Sequence, residues 1–114
     1  MPSPTNLKCV YISSSSASLV VEGRTRLYGI SSAGNTTNGG FVNIILKNGS
    51  SSGDERLVVA TSHSSSGYVY LTNAPMIDIQ SSGILFEDGI YFSADLASGF
   101  YGASLFVEGG KDNT

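Results

Sequence analysis

Clusters of Gly, Ser, Asn and Asp interrupt this chain roughly every 8–12 residues, and short runs rich in β-branched and aromatic residues lie between them. That spacing leaves little room for a helix. Few windows show a 3.6-residue apolar period, and helix-forming residues are scarce. Alternation of apolar and polar residues instead fits strands that bury one side. The pattern predicts about eight to ten short strands in an all-β antiparallel two-sheet β-sandwich, of which a jelly roll is one form. The serine runs read as turns, because each lies between periodic apolar segments.

The densest apolar stretch is Gly83–Leu96, and Asp88-Gly89 within it is a strong hairpin signal. A three-residue loop of Glu87, Asp88 and Gly89 pairs Phe86 with Ile90. That register puts Ile84, Phe86, Ile90, Phe92, Ala94 and Leu96 on one face. Leu85, Glu87, Tyr91, Ser93 and Asp95 fall on the other. Gly89 then takes a left-handed conformation.

The other predicted strands follow the same logic. Leu7–Ile12 opens the domain, with Cys9 as a small buried residue. Ser18–Glu22 and Arg24–Ser31 flank a tight turn at Glu22-Gly23. Phe41–Lys47 places Val42, Ile44 and Leu46 on one face, and Glu55–Ser62 returns from a Gly/Ser loop. Tyr68–Thr72, Met76–Gln80 and Phe100–Glu108 complete the set. One domain over 7–109 is expected, with an extended arm at 1–6 and a flexible tail at 110–114.

Charge and residue types narrow the function. Charged residues are 13% of the chain and the net charge is -3, which argues against a phosphate-binding surface and so against nucleic acid. A single cysteine excludes an intrachain disulfide. The start lacks the apolar core of a signal peptide, and no apolar run approaches membrane-spanning length. Synthesis and folding in a cytosol are expected, with no membrane partner. His63 is the only histidine, so one chain offers no His/Cys zinc set, and no G-x-S-x-G elbow accompanies it. The carboxylates Asp54/Glu55 and Glu87/Asp88 sit at turns and read as solvated strand ends. No catalytic residue, metal ligand or cofactor site is assigned.

The outward sides of the predicted strands are more informative. They carry Tyr28, Phe41, Ile45, Tyr68, Tyr70, Tyr91 and Phe106. Clustered aromatic side chains on a sheet surface usually mark a contact, so part of this set is the candidate subunit interface.

Five pieces of the chain also bear on family. They are Asn6–Ile12, Gly23–Ile30 (G-R-T-R-L-Y-G-I), Ile44–Gly49, Gly83–Tyr91 (G-I-L-F-E-D-G-I-Y) and Ala103–Gly109. In these the chain resembles small virion structural proteins of tailed bacteriophages, including marine and cyanobacterial phages. The ending S-L-F-V-E-G-G departs from the usual pattern of that group. The resemblance implies a non-enzymatic protein, made in the bacterial cytoplasm and built into the virion. A capsid decoration or cement protein fits, assembling as a homo-oligomer such as a trimer and bound to phage capsid or tail proteins. The alternative is a tail-apparatus or receptor- and glycan-binding β-sandwich module. The absence of Trp weighs against the glycan reading.

Overall fold

The computed structural model describes residues 7–14, 16–34, 41–62, 76–78, 83–94 and 100–114. Within them lie eight strands and no helix: β1 (Lys8–Ile12), β2 (Ser18–Gly34), β3 (Phe41–Asn48), β4 (Glu55–Ser62), β5 (Met76–Asp78), β6 (Ile84–Phe86), β7 (Gly89–Ala94) and β8 (Phe100–Asp112). The chain is thus all-β. The described strands join one antiparallel sheet in the order β1-β8-β2-β7-β3-β4, with β5 and β6 also paired to β2.

Strand β2 is the spine. One edge pairs with β8 from Val21 to Gly34. Its other edge meets β7, β6 and β5 in turn, at Ser18–Glu22, Thr25–Leu27 and Gly29–Ser31. Two sequence expectations change here. Glu22-Gly23 does not reverse the chain: Gly23 takes φ +84° inside a continuous strand, and the β2–β8 register shifts between Glu22 and Thr25. Asp88-Gly89 does not close a hairpin either. Phe86 pairs with Thr25 and Gly89 with Glu22, so β6 and β7 run in the same direction along β2 with Glu87 and Asp88 as a kink between them.

The reason lies in what a positive-φ glycine can do. It serves a hairpin turn or an in-line bulge equally well, and a long partner strand decides between them. Gly89 has φ +100°, and a Cβ there would press on the Val21 carbonyl oxygen. Gly109 and Gly110 in β8 also have positive φ and stand at the same level as Gly23. A crease therefore crosses the three central strands.

The faces follow the predicted alternation. Phe86, Ile90 and Phe92 are fully buried, and Ile84 and Ala94 pack against the core. Both the expected hairpin and the observed kink keep Phe86 and Ile90 on one side, so the face assignment survives the change in topology. Ile44 and Leu46 are buried, as are Thr25 and Leu27, while Arg24 is exposed. Val10 and Ile12 point inward, so alternation turns Cys9 outward. Cys9 is exposed, not the buried residue expected.

The buried side chains share one face of the sheet: Val10, Leu105, Ile30, Leu27, Phe86, Ile90, Phe92, Leu46, Ile44 and Val59 follow one another across the ladders. The sheet rolls over this face. In a flat sheet β2 and β4 would stand about 14 Å apart, three strand spacings, yet some of their Cα atoms lie within 8 Å.

Strand β8 stays in the sheet to Asp112, beyond the boundary expected at Gly109. The Asn113 N–H donates to the Val20 carbonyl (2.9 Å), and its side-chain amide donates to the Leu19 carbonyl (2.9 Å). The expected tail at 110–114 is thus tied to β2 at its start. Asp112 accepts from the Thr114 hydroxyl (2.6 Å) and from the Thr114 N–H (2.9 Å). The predicted arm at 1–6, the strand Tyr68–Thr72 and His63 lie outside the described residues.

Two outcomes test this fold. Gly89→Val should destabilise by at least about 2 kcal/mol, because a β-branched residue is strained at that φ and collides with β2; urea unfolding would measure it. The Thr114 hydroxyl, then the Thr114 N–H, hold the Asp112 carboxyl below its ordinary pKa. A carboxyl lowered in the folded state contributes stability above its unfolded pKa and loses it as pH falls through the folded value. In an NMR titration Asp112 should therefore protonate below the ordinary Asp value, and Thr114→Ala should raise that midpoint.

Candidate interaction surface

The opposite face of the sheet carries the candidate contact residues. Tyr28, Ile45, Tyr91 and Phe106 all lie on it, each half-buried. The side chain of Phe41, and the whole of Tyr68 and Tyr70, lie outside the described residues.

The four residues fall into two patches. In the first, Phe106 of β8 stands between Cys9 of β1 and Gly29 of β2. Tyr28 is the extra residue of a bulge, because the β2–β8 register shifts between Leu27 and Gly29. Its ring lies over Gly83, where a Cβ would come within 3.2 Å of Cε1. Tyr11 of β1 joins the same patch at 56% exposure. Its hydroxyl reaches along β8 to Gly102, where a Cβ would lie 2.7 Å away. The small residue leaves room for the ring to lie flat on β8.

The second patch lies beyond the crease. Tyr91 of β7 stands between Leu19 of β2 and Lys47 of β3. One row on, Ser93 faces Ile45, and Ile45 faces Val58 of β4. Val58 is 51% exposed. Long strand β2 thus links the patches, with Leu19 at its start and Tyr28 beyond its middle.

Leu7, Tyr11 and Val58 are the exposed large apolar residues among the described ones. The sequence reading overlooked all three as contact residues. The signal for Tyr11 was present: burying Val10 and Ile12 turns Tyr11 outward by alternation. Val58 follows likewise from Leu57 and Val59, which pack inward.

Polar groups lock the edge of the second patch. At the kink, the Asp88 N–H has no strand partner and donates to Asn48 Oδ1 (2.9 Å). Asn48 Nδ2 donates to Asp88 Oδ2 (3.3 Å), and the Gly49 N–H donates to the Gly89 carbonyl (2.9 Å). Arg56 Nη2 pairs with Glu87 Oε1 at 2.9 Å, on the surface, where such a pair contributes little. The carboxylates Glu87 and Asp88 therefore serve the junction of β3, β4 and the kink. Among the described residues, no group of three or more His, Cys, Asp or Glu could hold a metal ion. Among them, too, no helix is long and apolar enough to cross a membrane.

No family model, curated protein or solved structure matches this chain.

Asn48→Ala should cost about 1 kcal/mol by leaving the Asp88 N–H without its side-chain partner. Hydrogen exchange should then quicken at Asp88 and Gly49 before it does in β8.

Proposed function

We propose that this chain is a non-enzymatic structural protein of a bacteriophage virion, a capsid decoration or cement protein that works as a homo-oligomer on the head lattice. One observation carries the assembly part: aromatic and aliphatic side chains line the outward sheet face on six strands, from Tyr11 and Phe106 through Tyr28 to Tyr91, Ile45 and Val58. A sheet whose second face is also apolar gains stability when a partner covers it. The virion part rests on the resemblance carried by Gly23–Ile30 and Gly83–Tyr91. We also infer that the sheet doubles over its buried face in the manner of a β-sandwich, supported by the approach of β2 to β4. Joining a lattice through side chains and strands alone suits a protein with a single cysteine, which cannot form an internal disulfide.

The test is assembly itself. The purified protein should sediment above monomer mass at high micromolar concentration and bind phage heads. Tyr91→Ser should leave the melting profile within about 1 kcal/mol of the parent and weaken that binding. A monomer that binds neither heads nor tails would overturn the proposal. Binding to tails alone, or to a glycan array, would move it to the tail-apparatus or receptor-binding alternative.

A further inference from the structure

We propose that β1 is the edge through which two copies of this protein join, the β1 strands pairing antiparallel about a twofold axis at Cys9. The inference rests on the homo-oligomer reading and names its contact.

Among the described strands β1 ends the sheet order, paired to β8 on one side. An edge strand presents unpaired N–H and C=O groups that another strand can satisfy, and charged side chains commonly guard it. Lysine is the usual guard. Here Lys8 is the one charged residue of β1, and its Nζ donates to the Gly110 carbonyl at 2.7 Å. The charge is folded back onto its own sheet, away from the edge.

What the edge shows instead is apolar and symmetric. Leu7 and Tyr11 are 39% and 56% exposed, and each stands two residues from Cys9. In an antiparallel pair centred on Cys9, Leu7 of each copy opposes Tyr11 of the other, on the outward face. On the inward face Lys8 opposes Val10, so no like charges meet. Moving the axis to Val10 would set Leu7 against Ser13 and Tyr11 against Cys9, parting the two large exposed side chains. The twofold at Cys9 is the arrangement that covers both.

This ladder is short, and contacts burying under about 1,000 Å² are weak or transient. Association should therefore depend on concentration in the micromolar range. The same geometry supplies a reporter. Opposed residues of an antiparallel pair have Cα atoms about 4.5–5.5 Å apart, within the range a disulfide spans. Diamide, which takes up the two protons and two electrons of two thiols, should join Cys9 to the Cys9 of a second copy.

The experiment uses the full chain in sedimentation velocity and in diamide cross-linking read on non-reducing gels. The proposal expects a concentration-dependent dimer and rapid cross-linking through Cys9. Tyr11→Lys should reduce both at least tenfold while the circular dichroism spectrum stays unchanged. In a Cys9→Ser background, Val58→Cys should cross-link far more slowly, since β4 is not the paired edge. Oligomers that do not cross-link through Cys9, or that survive Tyr11→Lys, would overturn the β1 contact and leave homo-oligomerisation standing. A monomer at every concentration would overturn both. Equal cross-linking through Val58→Cys would show random collision and reject the contact.

Discussion

The irregularities at the centre of this sheet lie where the backbone hydrogen bonds of β2 must find partners. A strand that long exposes donors and acceptors along two edges, and a buried group left unpaired costs about as much as a lost hydrogen bond. The main ladders cover most of them through β8 on one side and β7, β6 and β5 on the other. Where the ladders shift, other groups step in. Asn113 takes the Leu19 and Val20 carbonyls beside the bulge in the β2–β7 ladder. Asn48 takes the Asp88 N–H at the kink. Lys8 takes the Gly110 carbonyl at the crease in β8. Within the crease, the buried Thr25 hydroxyl donates to the Gly23 carbonyl at 2.8 Å.

The crease connects these local repairs to the core. Unpaired residues at Gly23-Arg24, Glu87-Asp88 and Gly110 interrupt neighbouring strands at one level, and the one extra residue of β2 against β8 makes a bulge, which increases local twist. A sheet that rolls in this way can bury one face against itself. Phe86, Ile90 and Phe92 then share a core with Leu105 and Val107, strands away. The outward face gains the opposite property. Its apolar residues spread to both sides of the crease, Tyr28 and Phe106 on one and Tyr91 and Ile45 on the other.

Much of this was legible in the sequence, at the level of faces. Alternation placed Ile84, Phe86, Ile90 and Phe92 together, and Ile44 with Leu46, because a period of two depends only on the local chain. It placed Tyr28, Ile45, Tyr91 and Phe106 on the outer side for the same reason. Topology was less legible. Asp88-Gly89 and Glu22-Gly23 carry the residues of a hairpin turn, and the same residues build an in-line bulge. The choice belongs to a partner strand far along the chain, which no local window contains. Cys9 shows a different limit. Its residue type favours burial, and the alternation set by Val10 and Ile12 overrode that preference.

The placement of β8 between β1 and β2 has a kinetic meaning. Lys8 pairs with Val107, so the first described strand has no partner until nearly the last one has been made. At ordinary synthesis rates that delay is on the order of 10 s. During it, β2 lacks one whole side of its ladder, and among the described strands only the β3–β4 hairpin can form from neighbours close in sequence. Folds dominated by such distant pairings are slow, because loop closure must precede the contacts that reward it. This topology predicts that the sheet closes late, once β8 can insert between β1 and β2.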